Sequence, residues 1–160
     1  TPVTLLELML GEIIWASIKA IISASCVLLI GWLWGGIVSS SVIFLIIPII
    51  FLASLTFGAI GLLVTSYAKG YEFFSYFFTF WVTPMFVFCG VFFETSKFPE
   101  FIQFFSWVFP MTHLVKIIRP ISSGAPIFLD EILFHLVYII GIFFIAFLFA
   151  YKKMVRRLFD

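Results

Sequence analysis

Residues 132–151 read ILFHLVYIIGIFFIAFLFAY, and Lys152, Lys153, Arg156 and Arg157 follow at once. The run contains no Asp, Glu, Lys, Arg or Pro. Its twenty residues, rising about 1.5 Å each as a helix, cover roughly 30 Å, the hydrocarbon thickness of a bilayer. A helix satisfies its own backbone hydrogen bonds, which lipid cannot do for it. The basic cluster then marks this end as the one held in the cytoplasm.

The whole chain has the same character. Of 160 residues, 64% are hydrophobic and 11% charged, with a mean hydropathy of +1.26. A soluble domain carries about 25% charged residues, so this chain cannot clothe a globule in polar surface. The net charge of +1 argues against nucleic acid as a partner, which would demand a clustered basic face. Cys26 and Cys89 lie in apolar runs without zinc or redox spacing and read as small buried hydrophobes.

Towards the N-terminus, Thr4 and Glu7 have the spacing of a capping box, with Val3 and Leu8 at the staple positions. A helix is expected from Leu5, with Gly11 offering a bend and an apolar span over 13–34. Glu12, Lys19, Ser23, Cys26 and Ile30 fall on one face of it. Lys19 has two placements, snorkelling to the headgroups or facing the bundle. Gly35-Gly36 and Ser39-Ser40-Ser41 mark a turn before a second span, 42–67, kinked at Pro48. Ser54, Gly58, Gly61 and Thr65 give that span a small-residue packing face. A third span, 73–93, contains Pro84, and 132–151 is the fourth. With the basic tail inside and four spans, both ends of the chain are expected in the cytoplasm. The chain begins at Thr1 without a signal-peptide pattern and reads as the downstream part of a longer protein.

Residues 94–130 are too apolar for a solvated loop. Thr95-Ser96 and Pro99-Glu100 offer a helix start, Pro110 an end, and a second short helix should carry His113, Lys116 and Arg119 until Pro120, Ser122-Ser123-Gly124 and Pro126 break it. Such helices lie in the interface or re-enter the membrane. The fold class is therefore an all-α polytopic membrane bundle, a single domain of four transmembrane helices plus short re-entrant external helices.

Chemistry is sparse. His113 has no second ligand at metal spacing, and His135 lies in the next span, so no metal site is expected. Ser122, Ser123 and His135 lack the Gly-x-Ser-x-Gly elbow of a serine hydrolase. Lys116 and Arg119 suit headgroup phosphates or simple interfacial anchoring. No phosphate-binding Gly-x-x-x-x-Gly-Lys-Ser/Thr loop occurs, so ATP hydrolysis would need another polypeptide.

Cys89-Gly90-Val91-Phe92-Phe93, then Phe98-Pro99, then Pro110-Met111-Thr112-His113 and, five residues further, Arg119 resemble the signature of the type-2 ABC exporter permeases. Residues 1–16 also look like the segment entering the third helix of that family, in its nodulation-type lipo-oligosaccharide and daunorubicin-type drug branches. Glu94 stands where members often have proline. The resemblance implies a permease of six helices, of which this chain supplies the last four. Residues 1–12 would be the tail of the coupling helix, with Glu7 and Glu12 meeting an ATP-binding cassette ATPase subunit. Residues 68–72, with Lys69 and Glu72, would be a second contact. Residues 94–130 would cap the external side, with Gly90, Pro110, His113 and Arg119 as signature positions.

The implied assembly is a homodimer or permease pair with two ATPases in the plasma (inner) membrane. ATP binds only the partner, and the permease itself has no cofactor and no catalytic residue. For a translocation path the best candidates are Lys19, Ser23 and Cys26 with Phe77, Phe80 and Trp81. A lipid-linked saccharide, a polysaccharide and a hydrophobic compound all remain open as substrate. The competing readings are a membrane enzyme acting on lipid headgroups through His113 and Arg119, and a non-transporting membrane scaffold.

Overall fold

The computed structural model describes residues 3–37, 40–92, 98–126 and 128–159, and all regular structure among them is helical. Three helices dominate: α1 (Leu5–Leu33), α2 (Ser40–Tyr67) and α7 (Leu129–Phe159). At 29, 28 and 31 residues they reach about 42–46 Å, more than the hydrocarbon core requires. All three are apolar enough to cross a membrane.

The start of α1 is fixed as expected. Thr4 Oγ1 accepts from the Glu7 amide at 3.3 Å, and Glu7 Oε2 accepts from the Thr4 amide at 2.8 Å. The helix runs on through Gly11 without a break, and α2 likewise runs through Pro48. The acidic first turn and basic last turn of α7 both oppose its dipole.

Two apolar clusters give the packing direction. Near one end Ile46, Ile117, Ile121 and Ile139 pack with Leu28, Val42 and Leu136. Near the other, Ile13, Ala59 and Ala146 pack with Leu63 and Phe147. The late part of α1 thus meets the early parts of α2 and α7, so α2 is central, antiparallel to α1 and parallel to α7. A further cleft joins Leu5 and Leu8 to Thr65, Met154 and Leu158, which puts the start of α1 and the end of α7 on one face. The Thr56 hydroxyl bridges the α2–α7 seam, donating to the Leu52 and Ile139 carbonyls at 3.1 and 3.2 Å.

Several expectations are corrected by the structure. The small-residue face of α2 closes only at Gly58, where a Cβ would lie 3.3 Å from Ile13; Gly61 and Thr65 stay exposed, and Ala53, Thr56 and Ala59 make the close approach instead. Cys89 is buried, but Cys26 is exposed on the outer face of α1.

The third span is not one regular helix over 73–93. It is α3 (Glu72–Phe77), a π-helical turn (Phe78–Val82) and α4 (Thr83–Phe88), followed by Gly90 at φ 89°. Pro84 lacks an amide hydrogen and crowds the carbonyl four residues back, so the helix widens. The Thr83 amide and hydroxyl both return to the Phe78 carbonyl, the hydroxyl at 3.0 Å. The 17 mostly apolar residues of Glu72–Phe88 give about 25 Å, less than the roughly 30 Å of the hydrocarbon core.

Residues 98–126 form α5 (Glu100–Ser106) and α6 (Pro110–Ser123), bent by 91° at the break between them. Pro110 does not end the first helix. It opens the second, holding Phe109 extended as the N-cap. Nor does Pro120 stop α6, which continues to Ser123 and ends at Gly124 with φ 69°. Ser39, Phe93, Glu94, Thr95-Ser96 and Lys97 lie outside the described residues.

Candidate functional site

The 91° elbow between α5 and α6 brings the polar chemistry together. At its corner the Thr112 hydroxyl donates to the Ser106 carbonyl at 2.6 Å, and the Phe109 amide to the same carbonyl at 3.2 Å. Phe109, Ser106, Thr112 and His113 are each 1% exposed. Phe109 packs edge-on against Trp81 and Phe105, tying the elbow to the widened helix beside it.

His113 is the centre of this knot. Its Nε2 lies 2.9 Å from the Trp107 carbonyl, which can only accept, so Nε2 carries a hydrogen. Its Nδ1 lies 2.7 Å from Nδ1 of His135 on α7. In the neutral pair His113 Nδ1 is therefore the acceptor and His135 the donor, an assignment fixed by the network. The His113 ring also stacks on Tyr138 at 3.8 Å and 18°, and the Tyr138 hydroxyl donates to the Val108 carbonyl at 3.0 Å. The α5–α6 elbow is thus clamped to α7 by two histidines and a tyrosine.

Beside the clamp opens a cleft of about 600 Å³ lined by Trp107, Lys116, Asp130, Glu131, Phe134 and His135. Lys116 Nζ stands 3.5 Å from the Trp107 ring centroid, a cation–π contact. The cleft offers both signs of charge and aromatic surface, so it can receive a polar ligand or headgroup. Among the described residues no group of three His, Cys, Asp or Glu side chains could hold a metal ion.

The sequence candidates distribute unevenly. Arg119 donates to the Gly90 carbonyl, so two of the external signature positions meet. Pro110 and His113 lie in the elbow. Ser122 and Ser123 donate to carbonyls of their own helix, at Arg119 and Pro120, and not to His135. Lys19, Ser23 and Cys26 are exposed on α1, opposite the face of Met9, Ile13 and Ser17 that packs inward; Lys19 only sits over Trp15 at 5.4 Å.

Phe77 and Trp81 share an apolar groove of about 410 Å³ with Phe57, Phe78 and Met111. Phe80 does not line it and is 76% exposed. Glu7 is engaged in the α1 cap, while Glu12, Lys69 and Glu72 are exposed. Sequence reasoning missed His135 and Tyr138 as partners. The available signal was their spacing with Glu131: steps of four and three place all three on one face of an otherwise apolar span.

A chain of long apolar helices whose one polar knot clamps a re-entrant elbow is a multi-pass membrane protein. Its family follows from comparison. The model of the ABC-2 type transporter family matches residues 1–122, and the chain belongs to that family. Among similar proteins are the Nodulation protein J of Sinorhizobium fredii, 32% identical over 126 residues (79% of this chain, 48% of that protein), and that of Bradyrhizobium diazoefficiens, 33% identical over 121 residues (76% and 46%). The Nodulation protein J of Neorhizobium galegae is 27% identical over 157 residues, 91% of this chain and 56% of that protein. The chain therefore spans about half the length of the curated relatives it matches. No solved structure matches.

Proposed function

We propose that the chain is part of the permease subunit of an ATP-driven exporter that carries a lipid-linked saccharide or another hydrophobic compound out of the cytoplasm across the plasma membrane. The observation that carries this reading, beyond family membership, is a two-ended asymmetry. The α1 start with Glu7 and Glu12 and the α2–α3 turn with Lys69 and Glu72 belong to one end of the bundle. The clamped α5–α6 elbow packs at the other. In this reading the first end, cytoplasmic, meets the ATPase subunit, and the second is the external cap. A force delivered at Glu12 reaches the outer end along the single rigid helix α1, which has the length to cross the membrane. Two copies, or a related pair, would enclose the path along the exposed Lys19–Ser23–Cys26 face and the Phe77–Trp81 groove. Such coupling requires ATP to favour one of two arrangements of these helices.

The headgroup-enzyme reading fits less well. Both ring nitrogens of His113 are already engaged within the protein, which leaves no atom free for general acid–base work on a substrate.

The test is purification of the full-length protein from its native membrane. A stoichiometric ATP-binding subunit is expected, and Glu12→Lys should weaken its association by roughly tenfold or more through like-charge or lost-pair effects. A well-behaved protein without such a subunit, or ATPase coupling indifferent to Glu12→Lys, would overturn the proposal.

A further inference from the structure

At the face holding the start of α1 and the end of α7, four cations from two separate elements surround one opening. Lys69, just past the end of α2, and Lys153, Arg156 and Arg157 of α7 line a cleft of about 560 Å³ whose floor includes Ser66, Tyr67 and Ala68. Ser66 and Ala68 are buried, whereas all four cations are exposed. Among the described residues no acidic side chain lines the opening; Glu7 and Glu72 are absent from its wall. Among the described residues, none of the four cations has an acidic partner within salt-bridge reach.

Two of the cations are held in place. The Arg157 Nη1 donates to the Thr65 carbonyl at 3.4 Å, and Lys153 Nζ stands 5.2 Å over the Tyr67 ring. The carbonyl end of α2 also faces here and contributes about half a negative charge. Four formal positive charges outweigh that contribution, so the cleft is strongly electropositive. Its position matters as much as its sign. Tyr67 closes the apolar run of α2, and Tyr151 opens the polar end of α7, the depth at which aromatic rings meet headgroups.

We propose that this cleft binds the phosphate of an anionic phospholipid headgroup. A phosphate diester presents two non-bridging oxygens that share one negative charge to the lysine ammonium groups and the Arg156 fork, while its acyl chains run back into the membrane along the exposed Phe149 and Ile145, one and two turns before Lys153 on the same face of α7. Convergence of Lys69 with the α7 cations distinguishes the site from a mere basic tail, because Lys152 belongs to the same tail and does not line the cleft.

The test places the full-length protein in nanodiscs of phosphatidylcholine carrying spin-labelled phosphatidylglycerol, with spin-labelled phosphatidylcholine as reference. A preference for phosphatidylglycerol is expected in the native protein. The Lys153→Gln/Arg156→Gln double variant should lose roughly 30-fold in that preference, and Lys69→Gln alone about fivefold, at about 1 kcal/mol per cation. Lys152→Gln should leave it unchanged.

Competition by inorganic phosphate alone, with phosphatidylglycerol no better than phosphatidylcholine, would mean a site for free phosphate and overturn the lipid assignment. An equal effect of Lys152→Gln and Lys69→Gln would reduce the cleft to nonspecific charge and overturn it too. So would loss of a co-purifying protein in the double variant with lipid preference intact, since the cations would then serve a protein contact. Should the double variant fail to fold, Lys153→Arg with Lys69→Gln carries the comparison: preference retained in the first and reduced about fivefold in the second supports the site, and preference unchanged in both refutes it.

Discussion

His113 is buried in an aromatic shell with both nitrogens engaged, so its removal orphans two groups at once: the Trp107 carbonyl and Nδ1 of His135. Each orphaned buried group costs about 1–3 kcal/mol. His113→Ala should therefore lower the thermal midpoint of the full-length protein in detergent, and His135→Ala should do so by a similar mechanism. Because both delete the same hydrogen bond, the double variant should cost less than the sum of the singles. Additive losses would show that the two rings are not coupled. The importance of His113 was visible in the sequence as an ionisable residue among apolar ones. Its partner was not, because 22 residues and a helix break separate the two. Spacing rules reach across one or two helical turns, whereas this contact depends on how the elbow docks onto α7.

For the elements, hydropathy and caps located the ends of α1 and α2 to within two residues, whereas α7 (Leu129–Phe159) starts three residues before and ends eight beyond the span expected over 132–151. The capping box of Thr4 and Glu7 stands as read. What local reading could not supply was the behaviour of proline. Pro48 and Pro120 sit inside continuing helices, Pro110 opens one, and Pro84 lies just past a π turn. A proline removes one amide and crowds one carbonyl; neighbouring structure decides whether the helix tolerates, widens or stops.

The packing face of α2 shows the same limit. Gly58→Val should push against Ile13 and destabilise by about 1–3 kcal/mol. Gly61→Ala meets no atom within 4 Å and should be neutral, or stabilising by up to about 1 kcal/mol through helix propensity. Thermal unfolding of the two variants side by side decides it. Equal destabilisation would mean that Gly61 faces a partner helix contributed by another chain or segment.

In the whole molecule, α1 runs antiparallel to the parallel pair α2 and α7, which sends the two ends of the described chain to one face and the elbow to the other. Leu6→Cys and Leu158→Cys should then react with an impermeant thiol reagent from the same side of sealed membrane vesicles, and Phe101→Cys from the opposite side. All three positions are exposed, Phe101 by 80%. Labelling of Leu6→Cys and Leu158→Cys from opposite faces would dismantle the arrangement. The outward stripe of Lys19, Ser23 and Cys26 belongs to this scale as well. Among the described residues nothing covers it, so a surface outside them must, and polar groups in hydrocarbon favour another protein segment over lipid.

That this protein is a bundle of membrane helices, where most of those helices lie and which family it resembles are legible in the order of its residues. Those properties follow from hydropathy summed along a run, from backbone groups that lipid cannot satisfy, and from short motifs, all of which are local. Which residues meet is a property of the packed bundle: His113 with His135, Arg119 with Gly90, and Lys69 with the cations of α7. Those meetings depend on helix direction, on a 91° bend and on the way a proline is absorbed. Each is set by packing between segments far apart in the chain, where no local pattern carries the information.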